Sequence, residues 1–123
     1  MADDWPSEDV VLLLAVRSSG RAGSLRRVIL ELDALSHGIP PEEALVASMQ
    51  RLIAAGLLEL DGERLRLTQR GRDLVRSTSK LYPRDHVEAL HRALAAVPVP
   101  GADTANVLPV GAYAQAVSDY RKL

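Results

Sequence analysis

Apolar residues recur along this chain with a helical period, switch briefly to alternation, and return to the helical period. Val10 to Val16 is apolar on every side, which predicts a buried central helix near 7–18, with Ser7 as its cap and Glu8 and Asp9 in its first turn. Ser18-Ser19-Gly20-Arg21-Ala22-Gly23 breaks it. Ser24 then caps a second helix near 24–36, with Leu25, Val28, Ile29, Leu32 and Leu35 on one face and Gly38 closing it. The corner Ile39-Pro40-Pro41 leads into a third helix near 41–55, whose inward stripe is Leu45, Met49, Leu52 and Ile53, ended by Gly56.

From there the spacing becomes strict alternation. Leu58 and Leu60 flank Glu59, and Leu65 and Leu67 flank Arg66, with Asp61-Gly62 between the runs. An Asp-Gly pair between two alternating segments predicts a β-hairpin. Thr68 caps a fourth helix through about Ser79, with Leu74, Val75 and Leu81 inward. A fifth helix follows Pro83 through Val87, Leu90, Leu94 and Val97. Beyond the stiff linker Pro98-Val99-Pro100-Gly101, a last helix near 111–123 carries Tyr113, Val117 and Tyr120 on one stripe. The fold class is mainly α with a small β-hairpin.

Composition narrows the function classes. At 123 residues the chain is one domain, long enough to bury a core without staples. It has no cysteine, which excludes disulfides, iron–sulfur clusters, thiolate zinc sites and a cysteine nucleophile. The apolar run at Val10–Val16 is too short to span a bilayer, and Met1-Ala2-Asp3-Asp4 is acidic, unlike a signal peptide, so a cytoplasmic protein is expected. Phe is absent and aromatics are few, which argues against a stacking platform for single strands. The net charge is -1, but it is unevenly spread: residues 1–63 carry five basic and eleven acidic groups, and residues 64–92 carry eight basic and three acidic ones.

The order α-α-α-β-β-α resembles the winged helix-turn-helix domain over residues 7–80, with 81–123 as a C-terminal helical extension. The likeness lies in Leu52-Ile53-Ala54-Ala55-Gly56-Leu57-Leu58, a helix running into the first wing strand. It lies equally in Leu65-Arg66-Leu67-Thr68-Gln69-Arg70-Gly71, the second wing strand passing into a capped helix. Both phrases are similar to those of bacterial transcriptional regulators of the multiple-antibiotic-resistance and phenolic-acid-repressor types. The resemblance implies a third helix in the major groove and a wing on the phosphates of double-stranded DNA. Carried over, the contacts would be Gln50 and Arg51 on helix three and Arg64, Arg66 and Arg70 on and beside the wing. Helix three otherwise turns Glu43, Ala44, Val46, Ala47 and Ala54 outward, a poor set for reading base edges.

Two further readings stay open beside that one. One is a winged-helix interaction module that binds a protein partner and no DNA. The other is a sensor holding a small molecule near the C-terminal helices. The Tyr113–Val117–Tyr120 stripe needs a surface to dock on, either its own fifth helix or a second copy, and a homodimer is expected. His86 and His91 stand five apart, off the i, i+4 spacing of paired metal ligands, so His37, His86 and His91 read as surface histidines. No Gly-x-Ser-x-Gly elbow and no carboxylate pair in an apolar setting occurs. No enzyme activity, metal or cofactor is expected.

Overall fold

A computed structural model describes residues 5–20, 23–36, 38–78, 83–98 and 108–122. Among the described residues, six helices and a two-stranded antiparallel hairpin follow in the expected order: α1 Ser7–Ser18, α2 Leu25–Ser36, α3 Glu42–Ala54, β1 Leu58–Asp61, β2 Arg64–Leu67, α4 Gln69–Ser77, α5 Pro83–Leu94 and α6 Ala112–Arg121. His37, Ser79, Lys80, Leu81, Tyr82 and the segment 99–107 lie outside the described residues. No helix among the described residues is long and apolar enough to cross a membrane.

The all-round apolar character of α1 has the consequence its sequence implies. It lies at the centre and touches α2, α3, α4, α5 and β2. Val10, Leu12, Leu13, Ala15 and Val16 are almost wholly removed from water. Each such side chain contributes roughly 1.5–3 kcal/mol for the larger residues. Trp5, ahead of α1, is also buried. It donates its indole N–H to the Val97 carbonyl at 2.8 Å, while a ring nitrogen of His91 bonds the Trp5 carbonyl at 2.6 Å. The N-terminal stretch is thereby tied to the end of α5.

In the hairpin, Leu58 pairs with Leu67 and Leu60 with Leu65, so one face is apolar and turned onto the core. The other face carries Glu59 opposite Arg66 and Asp61 opposite Arg64. Pairing of Asp61 with Arg64 makes Gly62-Glu63 the two-residue loop, one position later than Asp61-Gly62. Gly62 takes φ +64° at its first central position, as tight hairpin turns require. A single antiparallel bridge from Ser24 to Arg64, with the Leu65 N–H donating to the Gly23 carbonyl at 2.8 Å, adds the start of α2 to the wing edge.

Several local expectations are corrected. Pro6, with no side-chain cap bond, precedes α1, and Ser7 is its first helical residue. Gly38 lacks the left-handed conformation of a helix-closing glycine. Leu35, in the last turn of α2, is exposed. The last helix docks on α2 rather than on α5. Its buried residues are Ala112 and Ala116, with Tyr113, Val117 and Tyr120 packed beside them. Tyr113 donates to the Pro40 carbonyl and Tyr120 to the Asp33 carboxylate, so both tyrosines of the stripe are bonded within their own chain.

Candidate functional site

The two sequence phrases of the helix–hairpin–helix core meet at one joint. At the end of α3, Gly56 adopts φ +78°, the Leu57 N–H bonds the Leu52 carbonyl, and the Gly56 N–H bonds the Ile53 carbonyl, both at 3.0 Å. This is the Schellman closure, with buried Leu52 and Leu57 as its apolar clasp. The Thr68 N–H donates to the Leu57 carbonyl at 3.1 Å, and its hydroxyl donates to the Gly56 carbonyl at 2.6 Å. The same hydroxyl accepts from the Gly71 N–H at 3.1 Å and so caps α4. Gly71 itself leaves no room for a side chain against Leu57. The residues that looked like a regulator signature are holding two chain segments together.

The expected DNA contacts are dispersed. Arg51 lies on the inward flank of α3. Its Nε donates to Asp9 Oδ2 at 2.7 Å and its Nη2 to Asp9 Oδ1 at 2.8 Å, a bidentate pair that Ser48 completes by donating to Oδ1 at 2.6 Å. Asp9 is wholly buried, whereas Arg51 keeps a quarter of its side chain exposed. Those hydrogen bonds raise the Arg51 pKa above its ordinary value, against the opposing effect of burial. Arg51 is therefore a joint between α1 and α3 and not an outward contact. From sequence Asp9 is a first-turn carboxylate favoured by the helix dipole of α1, and nothing in its local sequence shows that α3 covers it.

Gln50 is half-buried, and Ala44, Val46 and Ala47, expected to face outward, are half-buried too. Arg70 donates to the Ala55 carbonyl at 3.2 Å, at the same joint. Arg66 lies 3.4 Å from Glu59 and 3.9 Å from Asp61, and Arg64 is exposed on β2. Of the five, Arg64 and Arg66 share the outer wing face. The two described histidines, His86 and His91, are not on the surface either: His91 is half-buried on the Trp5 carbonyl. His86 is buried, with its Nε2 lacking a hydrogen-bond partner among the described residues. Among the described residues no group of three or more His, Cys, Asp or Glu is placed to hold a metal ion.

A different basic cluster assembles. A groove of about 500 Å³ runs between the end of α1, strand β2 and α4, walled by Arg17, Arg66, Arg72 and Arg76 over a floor of Val16 and Leu67, with Gly20 at its edge. No acidic residue lines it among the described residues. Arg72 is held in place by donating to the Leu67 carbonyl at 2.9 Å and to Gln69 Oε1 at 3.0 Å. Only Arg66 of this set was singled out from sequence. The signal for the others is Arg72 and Arg76 at i, i+4 with like charge, a spacing that disfavours a helix unless something offsets it.

Compared with known proteins, residues 29–74 match the family model described as HemN C-terminal domain. No curated protein and no solved structure matches the chain significantly. The matched segment runs from within α2 to within α4 and contains the α3 closure, the hairpin, the Thr68 cap and Gly71. This overturns the resemblance to regulators of the multiple-antibiotic-resistance and phenolic-acid-repressor types, and with it the expected function of DNA binding and transcription regulation. The physical reason is that both phrases encode a packing joint, which a fold can keep whatever its outer faces bind. The match gives no support to the rival interaction module of regulator descent. The helix–hairpin–helix core of this chain is similar to the C-terminal domain of HemN.

Proposed function

We propose that this chain is an accessory domain of the HemN type, which works beside a catalytic domain and performs no bond-making chemistry itself. HemN denotes an oxygen-independent coproporphyrinogen oxidase family associated with radical S-adenosylmethionine chemistry. The observation that carries the reading is the match over residues 29–74, whose motif side chains are spent on internal closure. The lack of cysteine agrees with it, because an iron–sulfur cluster needs thiolate ligands that this chain does not have.

The test is sedimentation velocity of the purified chain mixed with the catalytic domain of a HemN-type oxidase from which its own C-terminal domain has been removed. Co-sedimentation as a single faster species, with no coproporphyrinogen turnover by the chain alone, is the expected result. Independent sedimentation of the two, or turnover by the chain alone, would contradict the proposal.

A further inference from the structure

We propose that the groove between the end of α1, β2 and α4 is a binding site for a small amphipathic organic dianion, either a dicarboxylate or an organic phosphate with an apolar body. Four guanidinium groups from three separate elements converge on it: Arg17 from α1, Arg66 from β2, and Arg72 and Arg76 from α4. Its floor is apolar, formed by Val16 and Leu67, both buried. A volume of about 500 Å³ is in the range of small-molecule sites, which combine an apolar lining with a few placed polar groups.

Arg72 and Arg76 stack one turn apart on α4 with like charge, and Arg66 faces them from the strand. The carboxylates near Arg66, Glu59 and Asp61, are on the hairpin and outside the groove lining. Asp73 on α4 accepts from Gln69 and is also outside it. Guanidinium forks suit the oxygens of carboxylate or phosphate, so an anion entering the groove would meet matched donors from more than one element.

The groove is pre-shaped. Arg72 spends two of its five N–H donors on the Leu67 carbonyl and Gln69, which fixes its plane and leaves the others for a ligand. Gly20 borders the cleft with no atom near the space a Cβ would fill, which keeps that edge low. The C-terminal end of α1 points its carbonyl dipoles toward this region, and that opposes an anion. Arg17 in the last turn offsets it, and the Ser19 N–H and hydroxyl already occupy the Ala15 and Val16 carbonyls. The chemistry of the groove stands independently of the likeness to HemN.

The test is a two-dimensional ¹H–¹⁵N NMR titration of the full chain with adipate, butyl phosphate, hexanoate, inorganic phosphate and a short DNA duplex as separate probes. Adipate or butyl phosphate should saturably shift the amides of Arg17, Gly20, Arg66, Leu67 and Arg72, and whichever binds more tightly identifies the anionic group. That probe should bind about tenfold more tightly than hexanoate, the difference expected for an added charge-assisted contact, and about tenfold more tightly than inorganic phosphate, which has no apolar body to lie on Val16 and Leu67. In the Arg17→Gln/Arg76→Gln variant its affinity should fall by at least that factor. If the pair does not fold, Arg17→Gln alone should weaken it measurably. Equal weak binding of all anions would mean an adventitious ion only. Tighter saturation of the same amides by the duplex would mean a polyphosphate surface. Either result, unshifted groove amides, or undiminished binding by the folded variants would overturn the proposal.

Discussion

Gly71, in the first turns of α4, lies so close to Leu57 that a Cβ built on it would stand 2.1 Å from the Leu57 carbonyl oxygen. The same carbonyl accepts the Thr68 N–H, so the start of α4 is clamped onto the residue that links α3 to the wing. The atom in the way is backbone and cannot swing aside as a flexible side chain would.

Replacing Gly71 by Ala should therefore destabilise the fold by about 1–3 kcal/mol, the usual cost of overpacking a closed site. Gly38→Ala is the control, since a Cβ there meets nothing and the backbone is not left-handed. It should be neutral or stabilising by up to ~1 kcal/mol. Urea unfolding of both variants checks this, and equal midpoints for the two would contradict the clamp.

The Asp9–Arg51–Ser48 joint gives a sharper contrast. Arg51→Ala leaves the Asp9 carboxylate buried with only Ser48 to bond it, a loss of roughly 3–5 kcal/mol. Replacing both Asp9 and Arg51 by Leu removes the buried charge together with its partner and should recover most of that loss. The double-mutant cycle of Asp9→Leu, Arg51→Leu and the two combined is read by denaturant unfolding, and an additive result would mean that the pair is not coupled. Because the Arg51 pKa is raised in the fold, its contribution is complete below the ordinary arginine value and fades only at higher pH. Stability across the neutral range should carry no step from this group.

The docking of α6 should depend on alkaline pH. Tyr120 donates to Asp33, and that hydrogen bond raises its pKa above the ordinary value of 10.0. Tyr113 is raised as well, by burial first and Glu42 second, with Arg121 opposing. A raised folded value means that both contacts contribute fully below pH 10.0 and are lost as pH rises through the higher values of the folded chain. Phenolate absorbance followed together with amide exchange of residues 112–121 should show α6 losing protection above pH 10.0. Tyr120→Phe should lower that protection at neutral pH and shrink the alkaline step. An alkaline step of unchanged size in the variant would rule out the Tyr120–Asp33 bond as its cause.

The parts of this fold legible from sequence are those encoded locally. Leu58, Leu60, Leu65 and Leu67 announce a hairpin because alternation puts all four on one face, and Thr68 and Gly56 mark helix ends by their own chemistry. What could not be read depends on partners far along the chain. Asp9 and Arg51 are 42 residues apart, and a helical wheel for α3 alone places Arg51 at the edge of its outer face. The seat of α6 on α2, through Tyr120 and Asp33, has the same character. The arginine groove was half-visible: its charges were counted in residues 64–92, but Arg17 joins them only once α1 ends beside β2 and α4. The family likeness failed for a related reason, since its motif residues describe the joint and not the surface.

The central claim is that α3 and the wing are built as internal joints and not as a reader of DNA. Fluorescence anisotropy with a random-sequence duplex at physiological salt tests it most directly, with the parent chain and the Arg64→Ala/Arg66→Ala variant titrated side by side. Non-specific DNA-binding proteins show dissociation constants of about 10⁻⁴–10⁻⁶ M under such conditions. The expected result is no saturation within that range and identical curves for the two proteins. Saturable binding by the parent, lost in the variant and weakening steeply with salt, would contradict the account.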